Sequence, residues 1–437
     1  MTMADVAAEL KRPAALWREA DPGLRRLIFV SFIEMLSVNA YFSLIVPFAK
    51  TLGLDSSAVG GLSSILQIVS ALVAVGAGVL ADRAGRKRLY VAGQFVRLAI
   101  TLALLTTRSY FGLVLVFVFR GLATIQSPAQ QAMTASLTRR DNRATMLGLS
   151  QTLSQLAAVI MPLASGAIAD RYGARVSFLI SGVLAVIAII IGTGLRERPA
   201  SEAVAAPPTG NPAAAQPTAN SANEPLTARI RHMFSGKRGT VLALLMAVTA
   251  VNGLCNGAVN ILLPYTIMDR FSSAYTVVAS AGSLMALGTM FVLLVGGRLA
   301  DLGGRRKMIM TSGVIFPLIF LPVLFIKQYW QLALILTLTN MVGNISSPAV
   351  GAIYMEAVED QDRGMFAGVQ MSLNAAGMAL GSLISGFAYK LSPNGAWVGV
   401  IALWFLQIVF FHFAVPHDAK APQARCECES ATAGLDD

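Results

Sequence analysis

Long apolar stretches constrain this chain more than any other feature of its sequence. Many stretches of roughly 20 residues carry few charges, and a 20-residue helix spans about 30 Å, the hydrocarbon thickness of a bilayer. Hydrophobic residues make up 55% of the 437 residues and charged residues 13%, whereas about 25% are charged in a soluble domain. Because a backbone in lipid must satisfy its hydrogen bonds within each segment, these stretches predict transmembrane helices. The predicted fold class is an all-α membrane protein.

The stretches predict twelve transmembrane helices in two bundles of six. The predicted spans are residues 27–49, 57–81, 88–107, 109–134, 144–169, 175–195, 239–265, 274–300, 307–326, 329–354, 364–389 and 395–416. The predicted domains are a cytoplasmic N-terminal segment (1–26), an N-terminal six-helix bundle (27–195), a linker (196–238), a C-terminal six-helix bundle (239–416) and a cytoplasmic tail (417–437). The linker is rich in Pro, Ala, Ser and Asn, a composition typical of disordered segments.

Positive charge is distributed unevenly among the loops. The formal net charge is +11, and most of the 34 Lys and Arg residues lie in the N-terminal segment, the linker and the loops after even-numbered spans. By the positive-inside rule, this pattern predicts that both termini and the linker are cytoplasmic. Since the basic residues set orientation, we expect no nucleic-acid partner.

One loop sequence occurs twice, about 220 residues apart, which indicates a tandem repeat. Residues 78–88 read Gly-Val-Leu-Ala-Asp-Arg-Ala-Gly-Arg-Lys-Arg, and residues 297–307 read Gly-Arg-Leu-Ala-Asp-Leu-Gly-Gly-Arg-Arg-Lys. Ser165-Gly166 in span 5 likewise matches Ser385-Gly386 in span 11. Parallel halves of six spans predict a site between them near the middle of the membrane, reached by rocking one half against the other.

The repeated loop resembles the signature loop of the major facilitator superfamily, which joins spans 2 and 3 and recurs between spans 8 and 9. The first copy is complete, whereas Leu302 replaces the basic residue after the aspartate in the second. The resemblance implies that Asp82 and Asp301 latch the cytoplasmic side, each facing the start of a helix in the other half, near Arg363 and Arg143 respectively. A helix N-terminus carries partial positive charge that stabilises a carboxylate. The residues assigned to this gating motif are Gly78, Asp82, Arg83, Gly85, Arg86, Lys87, Gly297, Asp301, Gly304, Arg305 and Arg306.

Three charged residues lie deep inside predicted spans: Glu34 in span 1, Arg97 in span 3 and Arg120 in span 4. Charges within a membrane are expensive and usually functional. Their similar depths predict that Glu34 pairs with one of the two arginines. A carboxylate on which burial and a neighbouring arginine act in opposite directions can carry a proton; the alternative is a fixed ion pair that only tethers helices. Arg120 also resembles the basic residue in span 4 of proton-coupled family members, although Thr124 stands where their pattern has glycine.

Amide side chains form stripes on three spans. They are Asn252, Asn256 and Asn260 in span 7, Asn340 and Asn344 in span 10, and Gln151 and Gln155 in span 5. Residues four apart share a helix face, and an amide facing lipid would be unsatisfied, so these faces point into the bundle. Together with Asn39 of span 1, they are candidates to bind substrate or to form hydrogen bonds between helices.

These features predict a secondary active transporter, with two hypotheses for its transport reaction. The first is proton-coupled export of small organic or amphipathic molecules, resembling the twelve-span drug:proton antiporters. The second is a proton symporter or uniporter importing a polar or anionic metabolite, with Arg97 and Arg120 binding the anion. The sequence has no metal-ligand cluster, nucleophile motif or phosphate-binding loop, so we expect neither an enzyme nor a cofactor. We expect a monomer in a bacterial inner membrane.

Overall fold

The computed structural model describes residues 22–137, 143–194, 236–302, 305–358 and 363–414. Within these ranges the regular structure is helical. Residues 1–21, 195–235 and 415–437 lie outside the described residues, and with them most of the predicted N-terminal segment, the linker and the tail.

The described residues contain twelve apolar helical segments. Eleven are long and apolar enough to span a membrane, and the remaining one, Tyr110–Ile125, is shorter. The N-terminal half contains Pro22–Phe42 with Ile45–Thr51 (span 1), Ser56–Ala84 (span 2), Arg86–Thr106 (span 3), Tyr110–Leu122 with Gln126–Leu137 (span 4), Arg143–Tyr172 (span 5) and Ala174–Thr193 (span 6). The C-terminal half contains Gly236–Arg270 (span 7), Tyr275–Leu302 (span 8), Arg305–Phe320 (span 9), Tyr329–Ile345 with Ser347–Glu356 (span 10), Arg363–Leu391 (span 11) and Pro393–Ala414 (span 12). The prediction of two six-helix bundles is confirmed.

Spans 4 and 10 are broken at equivalent places of the repeat. In span 4, a 3₁₀ turn over Ala123–Ile125 precedes the helix Gln126–Leu137. In span 10, the helix Tyr329–Ile345 ends and a new one begins at Ser347. Each break lies just before the proline of a Ser-Pro pair, and proline has no N–H to donate and clashes with the preceding turn.

Small residues bring the helices of each half close together. In the N-terminal half, Ser37 of span 1 donates to the carbonyl of Ser181 in span 6 at 2.8 Å, and Ser181 donates to the carbonyl of Ser37 at 2.8 Å. In the C-terminal half, a β-carbon at Gly253 or Gly257 of span 7 would overlap the backbone of span 11. Such contacts between small residues are typical of helix packing in membranes.

The two halves meet through spans 2 and 11 on one side and spans 5 and 8 on the other. A β-carbon at Gly386 of span 11 would lie 2.5 Å from the carbonyl oxygen of Ser56 in span 2. A β-carbon at Gly166 of span 5 would lie 2.7 Å from Cα of Thr276 in span 8. The repeated Ser-Gly pairs of spans 5 and 11 therefore lie where the halves approach most closely, in equivalent positions.

Candidate functional site

A carboxylate is buried inside the N-terminal half. Glu34 of span 1 has 1% of its surface exposed, and its Oε1 lies 2.6 Å from Nη2 of Arg97 in span 3. The predicted pairing of Glu34 with one of the two arginines is thus observed, and the partner is Arg97. The Glu34 side chain is fully enclosed, whereas 17% of the Arg97 side chain is exposed.

Three neutral donors surround the other carboxylate oxygen. Oε2 of Glu34 accepts hydrogen bonds from Gln94 Nε2 at 2.7 Å, Gln126 Nε2 at 2.8 Å and the Tyr90 hydroxyl at 3.3 Å. Gln126 also accepts from Arg97 Nε at 3.1 Å and so bridges acid and base. Together these residues form the Glu34 cluster: Glu34, Tyr90, Gln94, Arg97 and Gln126.

One glycine and one helix break determine where the side chains of these donors lie. Gly93 of span 3 packs on span 4, because a β-carbon there would lie 2.6 Å from Cβ of Gln126. Gln126 is the first residue of the helix that follows the break in span 4. One turn further along, Gln130 donates to Ser31 of span 1 at 2.8 Å, so the polar contact between spans 1 and 4 continues beyond the cluster. The sequence analysis did not identify Tyr90, Gln94 or Gln126 as site residues. Gln94 could have been recognised from its position one turn before Arg97, on the same face of the helix.

Arg120 has different surroundings from Arg97. Its guanidinium carbon lies 5.0 Å from the ring centre of Phe42 in span 1 and 5.1 Å from that of Phe117. The predicted anion site shared by Arg97 and Arg120 is not favoured by this geometry, since Arg97 is already engaged by Glu34.

The amide stripes divide into exposed and packed groups. In span 7, Asn256 and Asn260 are exposed, and Asn256 donates to the side chain and the carbonyl of Asn252. In span 10, Asn344 donates to Thr289 of span 8 at 3.2 Å and Asn340 to the carbonyl of Leu336 at 3.0 Å. In the span 10 stripe Asn344 therefore links two helices and Asn340 bonds within its own helix, whereas two amides of the span 7 stripe are uncovered by protein.

The remaining predicted amides lie on spans 1 and 5. Gln151 is exposed and Gln155 half-buried. Asn39 donates to the carbonyl of Met35 at 2.8 Å, within its own helix. None of these three belongs to the Glu34 cluster.

Ion pairs join the two halves at one end of the bundle, which we name the closed end. Lys50 Nζ, at the end of span 1, lies 2.6 Å from Asp269 Oδ1 at the end of span 7. Lys390 Nζ, at the end of span 11, lies 2.9 Å from Asp55 Oδ2, just before span 2. Each pair links one half to the other across the same end.

A carboxylate from span 5 caps span 8 at the closed end. Asp170 accepts hydrogen bonds from the backbone N–H groups of Tyr275 at 2.7 Å and Thr276 at 2.9 Å, the first two residues of that helix. These N–H groups have no partner within the helix, and the helix dipole favours a negative charge beside them. Asp170 therefore holds the halves together by a contact that needs no basic side chain.

The opposite end carries both copies of the repeated loop, and we name it the motif end. Among the described residues, a β-carbon at Gly148 of span 5 or Gly368 of span 11 would meet no atom within 4 Å. Both glycines lie on the helices that pack tightly across the halves through Gly166 and Gly386. These two positions are therefore uncrowded among the described residues, and this is the end at which we expect a cleft between the halves.

The gating-motif residues are described mainly through their backbone. Gly85 joins spans 2 and 3 as a single residue with φ of 87°, a conformation that glycine adopts readily. Lys87 is half-buried. Gly304 lies outside the described residues, as do the side chains of Asp82, Arg83, Arg86, Asp301, Arg305 and Arg306. Spans 5 and 11 begin at Arg143 and Arg363, the residues that the predicted latch names, and the latch itself stays a prediction.

Two parallel six-helix halves that are joined at one end define a class of protein: a secondary transporter of small molecules, rather than an enzyme. The sequence matches the family model described as Major Facilitator Superfamily over residues 27–251 and 245–430. The chain belongs to the Major Facilitator Superfamily.

Relatives and solved structures agree with this membership. The Multidrug resistance protein MdtG of Citrobacter koseri is 24% identical over 374 residues, covering 82% of this chain and 87% of the relative. The protein of the same name from Enterobacter lignolyticus is 24% identical over 399 residues, covering 88% of this chain and 90% of the relative.

Solved structures of transporters share the fold. The nucleoside transporter NupG superposes with a TM-score of 0.68 at 15% identity, covering 90% of this chain and 99% of its own. An inward-facing, unoccupied bacterial homologue of the human lysosomal transporter Spinster gives a TM-score of 0.71 at 12% identity, covering 90% of this chain and 96% of its own.

Proposed function

We propose that this protein exports small organic or amphipathic molecules in exchange for protons, by alternating access of the cleft to the two sides of the membrane. The Glu34 cluster carries this proposal. It is a buried carboxylate with one arginine partner and three neutral donors, in a part of the membrane where such a charge is usually functional. The relatives named multidrug resistance protein support export as the direction.

Protonation of Glu34 would change the contacts of three helices at once. A neutral carboxylic acid would release the charge on Arg97 and weaken the hydrogen bond from Gln126. Since Gln126 begins the second helix of span 4, that helix is the element through which the proton would act on the motif end. A fixed ion pair would lack this consequence, because it would stay charged throughout the cycle.

The orientation and state of the protein belong to the same proposal. By the positive-inside rule the motif end faces the cytoplasm, so the cleft of this structure opens inward and both termini are cytoplasmic. Asp82 and Asp301 then latch the motif end in the outward-open state, when Gly148 and Gly368 pack against the other half. Since one chain supplies both walls of the cleft, we propose that it acts as a monomer in a bacterial inner membrane.

The test is collapse of a pH gradient in inverted membrane vesicles. Pools of amphipathic cations, neutral drugs and organic acids are added to vesicles holding wild type, Glu34→Gln or Glu224→Gln. Glu224 lies in the predicted linker, so Glu224→Gln is a matched control for the loss of one carboxylate. Collapse by wild type and Glu224→Gln but not by Glu34→Gln supports proton exchange through Glu34. Equal collapse by all three proteins would show that Glu34 only tethers helices.

A further inference from the structure

Arg120 is a charged side chain without an anionic neighbour. Its guanidinium packs on the aromatic faces of Phe42 and Phe117, at 5.0 Å and 5.1 Å, and lies close enough to Tyr41 to interact with it electrostatically. Among the described residues we find no hydrogen bond or ion pair to it. Arg97, by contrast, is neutralised by Glu34 at 2.6 Å. A cation removed from water is unfavourable unless it is paired, and aromatic faces compensate only part of that penalty.

Arg120 lies on the opposite face of span 4 from two strongly exposed residues. Phe111 and Leu115, which are 81% and 49% exposed, lie about 140–180° around the helix Tyr110–Leu122 from Arg120 at 100° per residue. Arg120 therefore points away from that exposed face, toward Phe42 of span 1.

Phe42 lies away from the packed side of span 1. It is about 140° around the helix from Ser37, which bonds to span 6. Phe42 is 51% exposed, so part of its surface contacts Arg120 and part is not covered by protein.

The C-terminal half presents uncharged amides at the same depth. Arg120 follows the start of span 4 by roughly ten residues and Asn260 precedes the end of span 7 by roughly ten, so each lies about 15 Å from the closed end. Asn260 is exposed. At the repeat position that corresponds to Arg120 stands Asn340, a neutral amide, so only the N-terminal half carries a cation at this position.

We propose that the cleft binds organic anions, with Arg120 holding a carboxylate, sulfonate or phosphonate group and Phe42 contacting the apolar body. Guanidinium is suited to this because its planar fork donates two parallel hydrogen bonds to such groups. An anion would complete the environment of Arg120, and its apolar part would cover the exposed ring of Phe42. This inference rests on the proposed transport function, since it names the substrate class.

The experiment measures binding by equilibrium dialysis of the purified full chain in an uncharged maltoside detergent at pH 7.5. The probes are 4-phenylbutyrate and its amide, which match in size and differ in charge. We expect wild type to bind the carboxylate about tenfold more tightly than the amide. In Arg120→Gln the two affinities become equal, and in Arg120→Lys the preference is intermediate because the charge remains without the fork.

Arg108→Gln is the matched control, because Arg108 is an exposed arginine near the closed end. It keeps the wild-type preference. Equal affinity of wild type for the two probes, or no binding of either, would overturn the proposal. An unchanged preference for the carboxylate in Arg120→Gln would overturn it as well. Thermal unfolding checks that each variant is folded. If Arg120→Gln does not fold, Arg120→Lys alone tests the proposal. Because binding is measured without a pH gradient, the two failures are distinguishable: loss of the anion preference with intact proton exchange refutes this proposal alone, and loss of proton exchange refutes the transport proposal on which it rests.

Discussion

Lys50 at the end of span 1 pairs with Asp269 at the end of span 7, Nζ to Oδ1 at 2.6 Å. Span 1 is the first helix of the N-terminal half and span 7 the first helix of the C-terminal half. The pair therefore joins the corresponding helices of the two halves at the closed end.

Reversal of one charge in this pair should open the closed end. In Lys50→Asp, two carboxylates face each other, and we expect a loss of about 0.5–1 kcal/mol for a partly exposed pair. The measurement is the distance between spin labels at positions 108 and 327, in loops of opposite halves, with the native cysteines replaced. The charge swap of Lys50→Asp with Asp269→Lys should restore the short distance, and a swap that behaves like the single variant would contradict an ion-pair role.

A methyl group at Gly386 should hinder closure more than loss of an ion pair does. In Gly386→Ala the β-carbon would lie 2.5 Å from the carbonyl oxygen of Ser56, and a backbone atom cannot move aside as a flexible side chain can. We expect the same label distance to lengthen. Gly368→Ala is the control on the same helix, since a β-carbon there meets no described atom within 4 Å. Equal distances in the two variants would argue against close packing at Gly386.

Removal of the carboxylate that caps span 8 should also weaken the closed end. Asp170→Ala leaves the N–H groups of Tyr275 and Thr276 without their acceptor, and loss of a capping side chain costs about 0.5–2 kcal/mol. Asp170→Asn should have a smaller effect, because an amide oxygen still accepts but carries no charge for the helix dipole. The measurement is hydrogen exchange at the first turn of span 8. We expect exchange to be slowest in wild type, faster in Asp170→Asn and fastest in Asp170→Ala. The same rate in all three would exclude the cap.

The ion pair between Asp55 and Lys390 should not respond to physiological pH. The hydrogen bond from Lys390, together with the N–H of Ala58, lowers the pKa of Asp55 to about 2. Because the folded-state pKa lies below the ordinary value, the stabilisation is complete above about pH 4 and is lost as the pH falls toward 2. A titration of the label distance from pH 5 to 8 should be the same in wild type and Asp55→Asn. A transition in that window that disappears in Asp55→Asn would show that Asp55 titrates there.

Removing one residue of the buried Glu34–Arg97 pair should destabilise the protein more than removing both. Arg97→Gln leaves the Glu34 carboxylate buried without its cation, a change that typically costs about 3–5 kcal/mol in stability. The double variant of Glu34→Gln with Arg97→Gln should recover most of this loss, because two amides can hydrogen-bond to each other and to Gln126. Thermal unfolding in detergent measures the stability of the single and the double variant. A double variant as unstable as the single one would mean that packing, not charge, dominates at this site.

The sequence by itself determined the membrane class and the two six-helix halves, and it singled out Glu34 as a candidate site residue. Runs of about 20 apolar residues, a repeated loop and a lone acid inside a span are local properties, and the lipid environment permits few structures for them. The tertiary structure decided which arginine neutralises Glu34, which amides hydrogen-bond to it, and which end of the bundle is closed. These outcomes depend on contacts such as Gly93 with Gln126, or Lys50 with Asp269. Hydrophobic patterning fixes the depth of a residue along its helix, but the rotation and separation of neighbouring helices depend on how their surfaces fit together.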